Sequence, residues 1–242
     1  QLGKHRIMCG DSTKDLETLL QGKTVDLLLT DPPYNVNYSS KNELLNLYGK
    51  GNNIQTEIRN DRISEEEYNQ FTKNWFTSIL SHLSDYNSVY VFGNYESLIQ
   101  LYDNPDFNIS NMLVWVKNTL VLGRMDYLGK HEFICYGWKG HHKWYGDRKQ
   151  STVFEYNKPA KNELHPTMKP LDMLSQIILN SSQDDMIVYD PFLGSGSTLI
   201  ACEQTNRVCY GMEIDPGYID VIIQRWENFT GLKAEKLPLE NK

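Results

Sequence analysis

Two short motifs carry residue types that can do chemistry, and each follows an apolar run typical of a strand. The first, near the start of the chain, is Asp31-Pro32-Pro33-Tyr34. Its carboxylate and a carbonyl on a proline-stiffened backbone offer two acceptors for the N–H bonds of an amino group, and its ring can stack on a flat partner. The second motif, near the end, is Asp190-Pro191-Phe192-Leu193-Gly194-Ser195-Gly196. Its glycines let the backbone approach a ligand closely, which predicts a cofactor loop.

The residues around the second motif indicate what kind of cofactor it binds. A helix predicted to begin near Ser197 and Thr198 presents free N–H groups after the glycine turn. Asp190, at the tip of the strand, would repel a pyrophosphate but can pair with a cationic amino group. The next strand ends at Glu213, a carboxylate suited to hydrogen bonds with ribose hydroxyls. Leu199 also replaces the third glycine of the dinucleotide fingerprint, so a dinucleotide fits less well.

The order of the motifs, D-P-P-Y before F-x-G-x-G, resembles that of the amino-group DNA methyltransferases of the permuted β group, over nearly the whole chain. The resemblance implies S-adenosylmethionine as the cofactor. It also implies a circularly permuted, Rossmann-like α/β methyltransferase fold, with a seven-stranded, mostly parallel sheet and helices on both faces. We therefore expect residues 1–242 to form a single catalytic domain.

The resemblance assigns a role to individual residues, with no metal among the ligands. The catalytic corner is Asp31, Pro32, Pro33 and Tyr34. On the cofactor, Asp190 serves the methionine moiety, Glu213 the ribose, Asp11 the adenine and Lys169 the methionine carboxylate. The remaining cofactor-binding residues belong to the glycine loop and the helix start: Phe192, Gly194, Gly196, Ser197 and Thr198.

The base that is methylated is predicted from the first residue of the catalytic motif. In the resembling family, D-P-P-Y goes mostly with adenine N6, and S-P-P-Y or S-P-P-F with cytosine N4. Asp31 therefore predicts methylation of an adenine that is flipped out of duplex DNA. The alternatives are a cytosine-N4 enzyme, a methyltransferase for RNA or protein amines, and a non-catalytic DNA-binding module.

Alternating apolar runs and helical patterns predict the elements that position these motifs. Strands are expected at 5–9, 25–30, 88–93, 111–117, 131–138, 186–190 and 207–212. Helices are expected at 13–21, 65–83, 95–103, 170–181, 197–206 and 216–229. Ser64 and Glu67 form a capping box that starts the second of these helices.

Two stretches without clear periodicity suggest contacts with DNA. Residues 35–62 form a long loop after the catalytic motif, and residues 139–165 are read as a small DNA-recognition insertion that mixes basic and aromatic side chains. The whole chain has a net charge of −7, but residues 124–161 hold eight Lys or Arg against four Asp or Glu. Charge alone does not decide for or against a nucleic-acid partner.

Cysteine spacing and hydropathy bound the remaining possibilities. The four cysteines show no C-x-x-C pair, which argues against zinc and against a disulfide framework. No apolar run reaches the length of a membrane span, so we expect a cytoplasmic protein of a prokaryote or phage with reduced cysteines. The resemblance leaves open a homodimer, and a ParB-like domain upstream in a longer protein.

Overall fold

The computed structural model describes residues 1–33, 63–121, 126–157 and 168–238. Within these ranges eight strands form one sheet. They are β1 (Arg6–Cys9), β2 (Val25–Thr30), β3 (Leu83–Gly93), β4 (Asn108–Val121), β5 (Gly129–Trp138), β6 (Val153–Glu155), β7 (Ile187–Asp190) and β8 (Val208–Glu213). Their order is β1-β8-β7-β2-β3-β5-β4-β6, and of these strands β5 alone runs antiparallel to its neighbours. The predicted mostly parallel sheet is confirmed.

The prediction of seven strands was wrong, because β6 adds an eighth at the edge of the sheet. Its three residues pair in parallel with β4, with Val153 opposite Val114. The Phe154 side chain points into the core, while Val153 and Glu155 are exposed. A strand of this length gives too few residues for a period-two pattern to stand out, and it lies inside the stretch that was read as an insertion.

The described residues contain six α-helices, which cover both faces of the sheet as predicted. They are α1 (Leu16–Leu20), α2 (Glu65–Leu80), α3 (Tyr95–Ile99), α4 (Leu171–Ser181), α5 (Ser197–Gln204) and α6 (Pro216–Thr230). The first three bury their apolar sides on one face and the last three on the other. Strand alternation serves both faces, since Leu28 packs with the first group, and Leu27 and Leu29 with the second. None of these helices is long and apolar enough to cross a bilayer.

Local sequence signals set where the helices begin. The predicted capping box is present at α2: the Glu67 amide donates to Ser64 Oγ at 3.2 Å, and the Ser64 amide donates to Glu67 Oε2 at 3.0 Å. Helix α4 starts directly after Pro170. Helix α6 starts with Pro216 in its first turn, where a missing N–H does no harm.

The adjacent parallel strands β2 and β7 form the switch point of the topology. From β2 the chain passes through α2 to β3 on one side, and from β7 it passes through α5 to β8 on the other. Connections that leave in opposite directions open a crevice beyond the carboxyl ends of the two strands, which is where open α/β sheets bind ligands. Both chemical motifs of the sequence begin at this crevice.

A glycine inside β5 gives a direct test of this packing. A Cβ on Gly137 would lie 2.3 Å from the Asn108 carbonyl oxygen and 2.8 Å from the Phe107 ring. We expect Gly137→Ala to lower the free energy of unfolding by about 1–3 kcal/mol, as measured by urea denaturation. Gly129→Ala, in the same strand, is the control, because its Cβ would meet nothing within 4 Å. Equal denaturation midpoints for the two variants would contradict the β4–β5 packing described here.

Candidate active site

Four acidic residues that are far apart in the sequence lie at the carboxyl ends of neighbouring parallel strands. We call this side of the sheet its carboxyl edge. The strands β1, β8, β7 and β2 are neighbours and parallel, so their carboxyl ends lie side by side. In that order the acids that end or follow them are Asp11, Glu213, Asp190 and Asp31. The two central strands are joined by a hydrogen bond of 2.8 Å that Thr30 Oγ1 donates to Asp190 Oδ1. The sheet thus brings both predicted motifs into one crevice.

Asp190 is held at the centre of this edge by three donors. Besides Thr30, Thr198 Oγ1 donates to its Oδ2 at 2.6 Å and the Phe192 amide donates to its Oδ1 at 3.1 Å. Its side chain is buried, and burial raises the pKa of the carboxyl to about 6 despite these hydrogen bonds. The carboxylate is ionised at neutral pH, and three of its roughly four acceptor positions are taken. Among the described residues no further donor fills the remaining position.

The glycine loop has the backbone conformation that the motif predicts. Gly194 and Gly196 have φ values of +52° and +81°, and Gly196 is the residue before α5. A side chain would be strained at both positions. The Gly194 amide donates to Glu213 Oε2 at 2.9 Å, so the end of β8 holds the loop in place. From α6, Arg225 Nη1 donates to the Ser195 carbonyl at 2.9 Å.

The side chains on either side of the two glycines make contacts within the protein. Ser197 and Thr198 are buried, and the Ser197 hydroxyl accepts from Arg225 Nη1 at 3.2 Å. The Phe192 ring packs edge-on against Trp75 of α2, with ring centroids 5.3 Å apart. These contacts shape the loop, and the predicted contacts of all three residues with a cofactor stay predictions.

Asp11 and Glu213 organise turns at the outer end of the same edge. Asp11 Oδ1 accepts from the Thr13 amide at 2.9 Å and from its hydroxyl at 2.6 Å, and Asp11 Oδ2 pairs with Lys14 at 3.0 Å. Although burial acts to raise the pKa of Asp11, these partners lower it overall. Glu213 Oε1 accepts from the Asp215 amide at 3.0 Å, and burial raises the pKa of Glu213. Their predicted roles at adenine and ribose remain predictions.

The catalytic corner begins directly after β2. Pro32 is buried, and Asp31 lies half-buried at the mouth of the crevice. From α2, the Tyr68 hydroxyl donates to the Pro33 carbonyl at 3.0 Å, which anchors the corner to the helix. Tyr34 lies outside the described residues, as does the predicted loop 35–62.

Lys169 reaches the corner from the residues just before α4. Its ammonium donates to Asp31 Oδ2 and lies 3.2 Å from Glu132 Oε2. Burial alone would lower the pKa of Lys169, but attraction to these two carboxylates outweighs it and raises the pKa. The structure therefore places this lysine on the predicted catalytic carboxylate, whereas the sequence placed it on the cofactor. Its contact with a methionine carboxylate stays a prediction.

The described part of the stretch 139–165 is divided between two places. The Asn87 amide donates to the His141 carbonyl at 3.1 Å, near the start of β3, and the Tyr145 amide donates to the Asn180 carbonyl at 2.8 Å, near the end of α4. The basic and aromatic residues 139–147 therefore lie near the amino ends of the parallel strands, on the side of the sheet opposite the four acids. Residues 153–155 are β6, and residues 158–165 lie outside the described residues. The role of this stretch in DNA recognition stays a prediction.

The end of the β4–β5 hairpin is a further surface beside the crevice, and it was not predicted from the sequence. Strand β3 ends at Gly93, opposite Phe133, but β4 and β5 continue past this point to the pair Val121–Gly129. Three apolar side chains near the end of this hairpin are exposed: Leu120, Tyr127 and Leu128. The described part of the hairpin therefore extends beyond the carboxyl end of β3, on the same side of the sheet as the four acids.

Among the residues that contact predicted site residues, sequence reasoning missed Tyr68, Glu132 and Arg225. It also missed Lys117, which contacts Glu132. For Lys117 and Glu132 a signal existed: each continues the alternation of a buried strand face, after Trp115 and before Ile134 respectively. Nothing in the local sequence of Tyr68 or Arg225 marks them.

Comparison with known proteins places this geometry in a family. A family model described as DNA methylase, for N6 and N4 methyltransferases, matches residues 25–225. The chain is 26% identical to the Type II methyltransferase M2.MboI of Moraxella bovis, covering 89% of this chain and 85% of that protein. It is also 26% identical to the Type II methyltransferase M.HinfI of Haemophilus influenzae, covering 90% of this chain and 67% of that protein.

Solved structures share the fold. The M1.HpyAVI–SAM complex aligns with a TM-score of 0.63 and 21% identity, over 91% of this chain and 99% of that one. The cytosine-N4-specific PvuII DNA methyltransferase aligns with a TM-score of 0.69 and 15% identity, over 92% and 89%. Because the family model spans both motifs and the strands that join them, the chain belongs to the N6/N4 DNA methylase family, whose members use S-adenosylmethionine to methylate amino groups of DNA bases.

Proposed function

We propose that this chain methylates the N6 amino group of an adenine that is flipped out of duplex DNA. The observation that carries the proposal is the position of Asp31, which lies at the mouth of the switch-point crevice beside the strand that ends in Asp190. A carboxylate at this place can accept a hydrogen bond from an amino group while the methyl donor occupies the neighbouring strand ends. The target nitrogen is out of reach in a paired duplex, so the base has to leave the stack.

The cofactor side fits S-adenosylmethionine better than a phosphate-bearing cofactor. The strand tips present the carboxylates of Asp190 and Glu213, and Asp190 keeps an acceptor position for an ammonium group. Arg225, a cation that contacts the glycine loop, donates its hydrogen bonds to the Ser195 carbonyl and the Ser197 hydroxyl. We assign Asp190 to the α-ammonium group, Glu213 to the ribose and Asp11 to the adenine of the cofactor.

Methyl transfer requires the protein mainly to position the methyl donor and the target amino group. When bound, S-adenosylmethionine supplies a methyl group activated by a sulfonium. An exocyclic amino group is a weak nucleophile because its lone pair is delocalised into the ring, so the protein has to hold the nitrogen towards tetrahedral geometry. Asp31 and the Pro32 carbonyl are the two acceptors for its N–H bonds, and Tyr34 stacks on the base. The nitrogen gains a bond to the methyl carbon as the carbon–sulfur bond breaks, the electron pair of that bond stays on the sulfur of a neutral thioether, and the nitrogen then releases one proton to water, with no covalent enzyme intermediate.

Adenine is favoured over cytosine by the aspartate that opens the catalytic motif. A cytosine-N4 enzyme is the second candidate, because the PvuII enzyme, which is cytosine-N4-specific, has the same fold. The fold alone does not separate the two bases.

The protruding β4–β5 hairpin supports duplex DNA as the substrate, since its exposed Tyr127 and Leu128 lie on the catalytic side of the sheet and can pack against bases or sugars.

The product identifies the base directly. We expect incubation with S-adenosylmethionine and unmethylated duplex DNA, followed by digestion to nucleosides and mass spectrometry, to yield N6-methyladenine. N4-methylcytosine would overturn the adenine assignment and keep the fold and mechanism. Methylation of RNA or protein in parallel reactions, with DNA left unmodified, would overturn the choice of substrate.

Two variants separate the catalytic half from the cofactor half. Asp31→Ala is expected to abolish methyl transfer, because the amino group loses its carboxylate acceptor, while the Kd for the cofactor stays within about threefold of wild type. Glu213→Ala is expected to weaken cofactor binding by about tenfold or more, because both the ribose acceptor and the anchor of Gly194 are lost. Calorimetry measures both constants, and equal loss of cofactor affinity in the two variants would contradict the assignment.

The raised pKa of Asp190 gives a test by pH. Burial places the pKa of this carboxyl at about 6, so below that pH it becomes neutral and loses its attraction for the ammonium group. We expect the cofactor Kd to be constant above about pH 7 and to rise as the pH falls below about 6, by up to tenfold per pH unit. In Asp190→Asn the Kd should be high and independent of pH over this range. A wild-type slope that persists in Asp190→Asn would assign it to another group.

A further inference from the structure

A row of alternating charges runs from the catalytic corner into the sheet. Asp31 pairs with Lys169, Lys169 with Glu132, and Glu132 with Lys117. The four belong to four separate segments of the chain: the residue after β2, the residues before α4, then β5 and β4. Their formal charges sum to zero, and the row ends at the carboxylate that we assign to the target amino group.

The two lysines of this row are buried, which is unusual and has a cost. The Lys117 and Lys169 side chains keep only 6% and 9% of their exposure, and Glu132 keeps 21%. Removing such charges from water costs several kcal/mol per ion, and apolar residues of similar size are often as stable or more stable. Stability alone therefore does not account for these four charges at this place.

Aromatic rings also lie close to both ammonium groups. Lys169 Nζ lies 5.0 Å from the centre of the Phe92 ring and 6.0 Å from that of Trp115, and Lys117 Nζ lies 5.1 Å from Trp115. These distances are those of cation–π contacts. Two carboxylates and two rings thus surround the Lys169 ammonium, and together they restrict its position.

Glu132 is the member that controls Lys169. Burial alone would raise the pKa of Glu132, but Lys169 and Lys117 lower it to about 2, so it is ionised throughout the working range. Its charge helps to keep the Lys169 pKa high. If Glu132 lost its charge, Lys169 and Lys117 would be two nearby cations with Asp31 as the remaining carboxylate of the row, and they would repel each other.

We infer that Glu132 and Lys117 are positioning residues for methyl transfer: Glu132 holds the Lys169 ammonium against Asp31, and Lys117 balances Glu132, so that Asp31 keeps one orientation towards the target amino group. The inference rests on the proposed role of Asp31. It gives a reason for a neutral row, since an unbalanced positive charge beside Asp31 would oppose both the cationic cofactor and the positive charge that develops on the nitrogen.

A cycle of three variants tests the inference through charge balance. Glu132→Gln leaves the row with one excess positive charge, and Lys117→Met leaves it with one excess negative charge. The double variant restores neutrality, with methionine close to the length of the lysine stem. We expect each single variant to lower kcat per folded protein by about tenfold to a hundredfold, with the cofactor Kd changed by less than about threefold. The double variant should recover most of the lost kcat.

The pH profile separates positioning from mere packing. In wild type the raised pKa of Lys169 keeps this residue charged at alkaline pH. In Glu132→Gln, Lys169 loses an attracting carboxylate and keeps a repelling cation, so a fall of kcat at alkaline pH should begin at a lower pH than any fall seen in wild type. In the double variant that repulsion is gone, and the fall should move back up. Glu203→Gln is the matched control: it removes a carboxylate that bonds His5 and Trp226 away from the crevice, and it should lower stability without changing the profile.

The outcomes are distinct from those for the proposed function. If kcat of each folded single variant equals wild type, or if the losses in the double variant add, the positioning role is overturned. If Glu132→Gln does not fold, Lys117→Met and the double variant carry the same comparison. Failure of the proposed function itself appears in the wild-type protein, as absence of the methylated base, before any variant is made.

Discussion

The hydrogen bond between Thr30 and Asp190 joins two parts of the chain that the sequence keeps far apart. It exists because β2 and β7 lie side by side in parallel, so the residue that ends one strand meets the residue that ends the other. On one side of this bond the chain turns into the catalytic corner, and on the other it turns into the glycine loop. The distance between the catalytic corner and the glycine loop is therefore set by the spacing of two hydrogen-bonded strands.

Four carboxylates on one edge would repel one another, and the structure answers this with a different partner for each. Asp190 has hydroxyls and an amide, Glu213 has backbone amides, Asp11 has the turn that it caps, and Asp31 has the Lys169 ammonium. Hydroxyl and amide partners leave the negative charge in place for a cationic ligand. An ammonium partner offsets it: Lys169 is buried against Asp31, whereas the Lys14 ammonium that pairs with Asp11 is largely exposed to water, so the charge of Asp31 is the more strongly offset of the two. Acids of similar sequence context thus acquire different chemistry from their neighbours.

Much of the fold and part of the site could be predicted from the sequence. Motifs at strand ends revealed the edge of the sheet, because parallel strands bring their carboxyl ends together whatever lies between them. The capping box and the prolines marked helix starts because those signals are local. The strand Val153–Glu155 was missed because three residues hold too little pattern, and Arg225 was missed because its contact with the glycine loop depends on how α6 packs. The partners of Lys169 likewise depend on strand order, which local patterns do not contain.

The β4–β5 hairpin extends past the end of β3, and the interactions that fold it differ from the side chains that it exposes. Pairing between the two strands holds its backbone, while the side chains of Leu120, Tyr127 and Leu128 near its end are exposed and are not part of the buried core. Substitution at such positions changes the surface offered to a ligand at little cost in folding free energy, whereas substitution in the crevice disturbs chemistry and packing together. The exposed end of the hairpin and the crevice at the strand ends thus lie on separate parts of the sheet, so the surface of the first can change while the geometry of the second stays the same.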